Sequence, residues 1–229
     1  MTVLAIDTST DVRVAVADGP TVLARATEHD TRSHVEQLVP LIRRALEQAA
    51  LDLARIDLIV VGMGPGPFTG LRVGIATAQA LAIADAIPLR RVCSLDVLAL
   101  TGVRTLSPAD RAEGFLTCTD ARRKEVYWAR YDAAGVRDGE PRVGPPDALP
   151  DLPIIGPGVA AYPQLGNRGT VEAVDAGLLA TRGTELPEVG ASPLYLRRPD
   201  AAVPTRRKSA LALPQRPGAA RPRIRRRPA

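Results

Sequence analysis

Aromatic residues are few: two Phe, four Tyr and one Trp in 229 residues. The core must therefore be built from Ala, Val, Leu and Ile, and a hydrophobic content of 45% is enough for a sizeable one. Cysteine is as scarce. Cys93 and Cys118 stand alone in apolar segments, which excludes a disulfide-stapled scaffold and a Cys-rich metal cluster and points to buried reduced thiols. Only His29 and His34 could supply imidazole. No run approaches the ~18 unbroken apolar residues of a membrane helix. No basic segment followed by an apolar stretch precedes Met1–Asp7, so no signal peptide is expected and the expected location is cytoplasmic.

Acidic residues are missing altogether from one segment. Residues 204–229 hold nine Arg or Lys, five Pro and no Asp or Glu. Removing those nine charges from the net +5 leaves residues 1–203 at −4. The high isoelectric point thus belongs to the tail, and an inference of nucleic-acid binding could apply only there. A Pro/Ala/Arg tail buries too little apolar surface to fold alone and is expected to be disordered. It reads either as an anchor for nucleic-acid phosphates or as a compositional extension without a role.

What is present begins with three short apolar segments, Val3–Asp7, Val12–Ala17 and Val22–Ala26, split by Thr10-Asp11 and by Asp18-Gly19-Pro20. Their spacing predicts a β-meander. A helix follows from Ser33, where Ser33 and Glu36 form a capping box and Val35, Leu38, Val39, Ile42, Ala45, Leu46 and Ala49 make an apolar stripe. Pro40 should kink it. Asp57–Gly62 reads as a buried strand, then a Gly/Pro loop to Phe68, a helix over Thr69–Ala84, a strand over Leu89–Val92 and a helix over Leu95–Leu100. This alternation predicts a partly parallel α/β sheet.

A second half begins near Arg104, giving lobes at 1–103 and 104–203. Phe115–Thr119 and Glu125–Tyr131 pair around Asp120-Ala-Arg-Arg-Lys124, Leu152–Gly156 is a further strand, and Ala160–Leu165 and Ala176–Thr181 are short helices. Pro193–Pro199 reads as extended, and the rest of 166–192 gives no clear pattern.

The Gly/Pro loop joins a buried strand to a helix start, where free N–H groups can bind an anion. It lacks the Gly-Lys-Ser/Thr of a P-loop, and Thr69 occupies the third glycine place of a dinucleotide fingerprint. A rigid turn allowing close backbone packing is the other reading. Between Gly70 and Ala84 only Arg72, Thr77 and Gln79 are polar, which predicts burial all round. Gly70, Gly74 and Ala78 recur every four residues, so another backbone could approach, from the second half of this chain or from a partner. Catalytic groups are few. The i+4 position from His34 is Leu38, which excludes a helical metal pair. Asp7, beside Thr8-Ser9-Thr10, either makes a phosphate or metal-water contact or caps a strand-end turn. Asp120 and Arg122 suggest a hairpin salt link.

Five segments in order, Asp7-Thr-Ser-Thr10, Arg32-Ser-His-Val-Glu36 with Leu38–Pro40, Gly64-Pro-Gly-Pro-Phe-Thr-Gly-Leu-Arg-Val-Gly74, Asp120-Ala-Arg-Arg-Lys-Glu-Val-Tyr127 and Pro193-Leu-Tyr-Leu-Arg-Arg-Pro-Asp200, resemble the TsaB family over residues 1–200. The tail has no counterpart there. The resemblance implies an α/β, two-lobed actin-like ATPase (ribonuclease H-like) fold, with mixed sheets flanked by helices. It implies a non-catalytic subunit that pairs with a TsaD-like catalytic subunit and a TsaE-like ATPase, or with itself when alone. That assembly forms N6-threonylcarbamoyladenosine beside the anticodon of tRNAs reading codons that begin with A, so tRNA is met indirectly.

In the catalytic relative a His-x-x-x-His metal motif lies where His34-Val-Glu-Gln-Leu38 stands here, so the second ligand is gone. Its nucleotide-binding glycine motif has a worn counterpart in Gly156-Pro-Gly-Val-Ala-Ala-Tyr162. No cofactor of its own is expected, with ATP and any metal held by partners. Leu38, Ile42, Gly70, Leu71, Gly74, Ile75 and Ala78 are expected at the partner interface, and Asp7, Thr8, Ser9, Gly156 and Gly158 as vestigial nucleotide contacts. Competing expectations are an active ATP-dependent phosphotransferase and a glycoprotease-like peptidase of the same superfamily.

Overall fold

The computed structural model describes residues 1–29, 34–170 and 172–197. The described residues lie in one compact unit. The Ser33–Glu36 capping box, residues 198–200 of the Pro193–Asp200 motif and the basic tail lie outside the described residues, wholly or in part.

Ten strands form two five-stranded sheets. The first contains β1 (Thr2–Asp7), β2 (Val12–Asp18), β3 (Thr21–Glu28), β4 (Leu58–Gly62) and β5 (Leu89–Val92), in the order β3-β2-β1-β4-β5. The second contains β6 (Phe115–Asp120), β7 (Val126–Tyr131), β8 (Arg137–Gly144), β9 (Ile154–Ile155) and β10 (Gly169–Thr170), in the order β10-β9-β6-β7-β8. Each sheet opens with an antiparallel meander, and its fourth and fifth strands then add in parallel on the far side of the first. The two sheets therefore share one connectivity, which is the two-lobed architecture of mixed sheets flanked by helices.

Helices fill the layers between and outside the sheets. On one face of the first sheet α1 (His34–Gln48) and α2 (Phe68–Ala84) cover Leu4, Ile6, Val14 and Val61. On its other face α3 (Ser94–Thr105) and α5 (Ala176–Arg182) pack with Val3, Ala5 and Val60, and the same cluster reaches Phe115, Tyr131 and Ile155 of the second sheet. A smaller cluster around Leu116, Cys118 and Ile154, with Val159 of α4 (Gly158–Ala161), closes the outer face of the second sheet. Helix α1 runs through Pro40, which is exposed on its outer side.

The segment 104–203 does not stay with one sheet. Only residues 115–170 build the second sheet. Residues 172–195 return to the first, where α5 packs on β1, β2 and β3, Val189 N donates to Arg91 O, and Leu194 N donates to Met63 O. The return clamps the two lobes into a single body. Cys93 and Cys118 are free and buried, and burial pushes each thiol up to about 12, so neither is a thiolate near neutral pH. No helix among the described residues is long and apolar enough to cross a membrane.

Candidate functional site

The Gly/Pro loop, the end of β1 and the start of α3 meet at Asp7. Both carboxylate oxygens are occupied within the chain. Oδ1 accepts from Ser9 N at 2.8 Å and Ser9 Oγ at 2.6 Å, and Oδ2 accepts from Ser94 Oγ at 2.6 Å. Ser94 Oγ in turn accepts from Gly64 N at 3.1 Å, and Ser94 N donates to Gly64 O at 2.8 Å. Thr8 Oγ1 donates to Gly70 O at 2.9 Å. Asp7, Thr8 and Ser9 are all buried. Burial raises the Asp7 carboxyl, and the hydrogen bonds from Ser9 and Ser94 oppose that rise without cancelling it.

Glycine is required here by space. A Cβ on Gly62 would lie 1.8 Å from Asp7 Oδ2, one on Gly66 2.4 Å from Ser9 O, and one on Gly74 2.2 Å from Thr8 Oγ1. The second lobe repeats the device. A Cβ on Gly156 would lie 2.1 Å from Cys118 O, and one on Gly158 2.7 Å from Cys118 Sγ, at the end of β6. So Asp7, Thr8, Ser9, Gly156 and Gly158, named as vestigial nucleotide contacts, are held in strand-to-helix packing. Of the two readings of the loop, this geometry is that of a rigid close-packed turn.

Beyond β6 the turn to β7 is polar. Asp120 accepts from Arg122 N at 2.8 Å and pairs with the Arg122 guanidinium at 3.4 Å, which is the hairpin link expected. The Tyr162 hydroxyl lies 3.0 Å from Asp120 Oδ1 and 2.9 Å from Glu125 O; burial and the Asp120 carboxylate push it up to about 12. Arg197 pairs with Glu125 and donates to Ala121 O, fixing the last described residue to this turn.

The seven residues expected at a partner interface lie elsewhere than on the surface. Leu38, Ile42, Leu71, Ile75 and Ala78 are in the core between the first sheet and its outer helices, and Gly70 and Gly74 are buried beside β1. This corrects the expectation for those positions: a partner cannot touch them without unpacking the lobe. The opposite side of α2 is open and still apolar. Ala76 and Ala80 are exposed, Phe68 is 39% exposed and Ile83 82%, with Arg72 the one charge on the helix. Val39 of α1, which packs against α2, is 45% exposed. The Arg72 guanidinium stacks 3.8 Å over the Phe68 ring and donates to the Tyr195 hydroxyl, so this end of the face is fixed in place. Helical periodicity found the stripe but not its outward side, because α2 is apolar on both. No group of three or more His, Cys, Asp or Glu among the described residues could hold a metal ion.

The family model for TsaD, the tRNA N6-adenosine threonylcarbamoyltransferase, matches residues 21–144. The uncharacterized protein Rv3421c of Mycobacterium tuberculosis is 43% identical over 212 residues, covering 87% of this chain and 93% of that protein. The tRNA threonylcarbamoyladenosine biosynthesis protein TsaB of Escherichia coli is 37% identical over 143 residues, 61% of this chain. This chain spans 60% of that protein's length, and 55% of a Mycobacterium leprae relative. Among solved structures, YeaZ from Pseudomonas aeruginosa superposes with a TM-score of 0.68 at 30% identity, covering 85% of this chain and 99% of YeaZ.

Proposed function

This chain belongs to the TsaD/YeaZ family, and from that premise we propose that it is a non-catalytic pairing subunit in the formation of N6-threonylcarbamoyladenosine in tRNA. Its partner is a TsaD-like catalytic subunit, joined by a TsaE-like ATPase, and tRNA, ATP and any metal are handled by those partners in the cytoplasm. Alone, the chain pairs with itself through the same surface.

The observation that carries this reading is the open side of α2. Phe68, Ala76, Ala80 and Ile83 present apolar surface over the length of the helix with one intervening charge. Large exposed apolar side chains grouped on one element mark interaction sites. The phosphotransferase reading has less support, because Asp7 has every oxygen engaged and is sealed under Gly62. The peptidase reading has less support as well: the Ser9 and Ser94 hydroxyls that meet the Asp7 carboxylate are buried, and no group of His, Cys, Asp or Glu among the described residues could hold a metal ion.

The test is co-purification with the TsaD-type protein of the same organism, using Ala80→Glu/Ile83→Glu. Two buried carboxylates at a contact should abolish pairing with the partner and with itself, while the monomeric variant keeps a cooperative urea transition. Pairing equal to the parent's would place the docking surface elsewhere. ATP turnover by the isolated chain at enzymatic rates would instead establish the phosphotransferase reading.

A further inference from the structure

The open side of α2 is apolar except at one place. Arg72 is the only ionisable residue between Phe68 and Ala84. Arg72, Ala76, Ala80 and Ile83 are all exposed and share one helical face, with Phe68 flanking Arg72 on the N-terminal side. The charge therefore stands inside the apolar surface.

Arg72 is also oriented before any partner arrives. Its guanidinium lies 3.8 Å over the Phe68 ring, and its Nε donates to the Tyr195 hydroxyl at 3.1 Å. Tyr195 packs in turn on Phe68, with ring centroids 4.8 Å apart. These contacts use one ring face and one N–H group. The N–H groups of the two terminal nitrogens have no acceptor among the described residues. Water serves them while the face is open, and a partner that covers the face takes that water away. The stack and the Tyr195 hydrogen bond hold the side chain against swinging out to the rim. A guanidinium sealed there without an acceptor would oppose docking strongly, because an unpaired charge is costly to bury.

We propose that the catalytic partner seated on this face presents a carboxylate to the terminal N–H groups of Arg72, and that this requirement favours the unlike partner over a second copy of the chain. The inference rests on the pairing role proposed above and names what the partner must bring. An Asp or Glu at the matching place accepts two parallel N–H bonds from the guanidinium, a geometry that arginine offers and lysine does not. A second copy is a poorer match. Helix α2 has no Asp or Glu, so two copies packed α2 against α2 bring a second guanidinium to the contact and no acid from that helix. Arg72 thus selects the partner, while the apolar residues beside it supply the contact area.

The experiment measures two equilibria of the full chain: binding to the TsaD-type protein of the same organism by isothermal titration calorimetry, and self-association by sedimentation equilibrium. Arg72→Met should weaken binding to the TsaD-type protein by about thirtyfold or more, the effect of leaving the partner's carboxylate buried and unpaired. The same variant should self-associate as tightly as the parent or more tightly. Arg72→Lys keeps the charge and should recover part of the lost affinity. Tyr195→Phe removes the tether to Nε and leaves the charge, so it should keep most of the affinity. A loss with Tyr195→Phe as large as that with Arg72→Met would assign the effect to the tether and overturn the proposal. Self-association weakened by Arg72→Met as much as partner binding would overturn it too. Should Arg72→Met lose its cooperative urea transition, Arg72→Gln takes its place. Ala80→Glu/Ile83→Glu separates this proposal from the pairing role. If that variant fails to pair while Arg72→Met pairs like the parent, α2 is the docking face and the carboxylate is absent. If both pair like the parent, docking lies elsewhere and both readings fall.

Discussion

Asp7 and Ser94, separated by 87 positions in sequence, meet through a hydrogen bond of 2.6 Å from Ser94 Oγ to Asp7 Oδ2. The same hydroxyl oxygen accepts from Gly64 N, so one atom joins the end of β1, the Gly/Pro loop and the start of α3. Ser94→Ala removes the donor to a buried carboxylate and the acceptor for a buried amide together. The expected cost is about 1–3 kcal/mol, the range for leaving buried polar groups unpaired. Urea denaturation checks it. A midpoint equal to the parent's would mean that water enters the junction and replaces the hydroxyl.

Gly74 and Thr8 provide a second test of the same junction. A methyl group on Gly74 collides with the Thr8 side chain, whose Oγ1 and Cγ2 would lie 2.2 and 2.9 Å from it. Gly74→Ala should therefore destabilise by about 1–3 kcal/mol through overpacking. Thr8→Ala alone loses the hydrogen bond to Gly70 O but clears the space. The double variant should then be more stable than the sum of the two single losses predicts, with a coupling of about 0.5 kcal/mol or more. Strict additivity would show that the helix moves aside instead. A partner-binding defect of a Gly74 variant would follow from this internal collision, since Gly74 is not on the surface.

The first sheet was legible because its signals are local. Asp18-Gly19-Pro20 marks a hairpin, Ile59, Val60 and Val61 form a buried parallel strand, and Gly64–Gly74 carries a family pattern. Strand β8 was not legible. Arg137–Gly144 reads Arg-Asp-Gly-Glu-Pro-Arg-Val-Gly, with no apolar alternation and with Pro141 inside. It is an edge strand paired only to β7, where a proline is tolerated and neither face needs a full apolar row. The return of residues 172–195 to the first sheet has no local signal either, because Val189 and Leu194 find their partners Arg91 and Met63 at 98 and 131 positions' distance. At Asp96 the sequence shows one acid in an apolar helix; its contacts with Tyr131 and Arg137 exist only once these have been brought in from the other sheet.

The two buried aspartates set a pH dependence of definite sign. Burial raises the Asp7 carboxyl against its hydrogen bonds from Ser9 and Ser94, and burial raises Asp96 against the Tyr131 hydrogen bond and the Arg137 charge. The folded state thus holds these protons more tightly than the unfolded chain, whose carboxyls titrate near ~3.9. Their contribution to stability is complete below that value and is lost as pH rises through the raised folded values. Cys93, Tyr131, Arg137 and Glu140 face Asp96, and none of them changes this direction. Relative to Asp96→Asn, the parent should be favoured most at acidic pH and progressively less toward neutrality. Paired urea titrations of the two proteins between about pH 4 and 8 measure the slope. A difference that grows in the parent's favour with rising pH would show that Arg137 and Tyr131 outweigh burial.

The basic segment 204–229 is the last feature to be tested, and its composition decides the expectation. Nine cationic residues, five prolines and few large apolar side chains give it little to bury, so removing it should leave the stability of the body unchanged. Residues 1–203 carry a net charge of −4, so the body does not extend a basic surface from which the tail would reach toward nucleic acid. A chain ending at residue 203 should therefore keep its urea midpoint and support threonylcarbamoyladenosine formation by the reconstituted partners as well as the full chain does. If Arg221–Arg227 instead hold tRNA phosphates, truncation will lower modification. In that case, modification by the full chain will fall steeply as salt is raised, because each neutralised phosphate releases condensed counterions. Measuring modification by both proteins at low and high salt separates the two outcomes, and a large loss on truncation together with a steep salt dependence of the full chain would make the tail an anchor for tRNA.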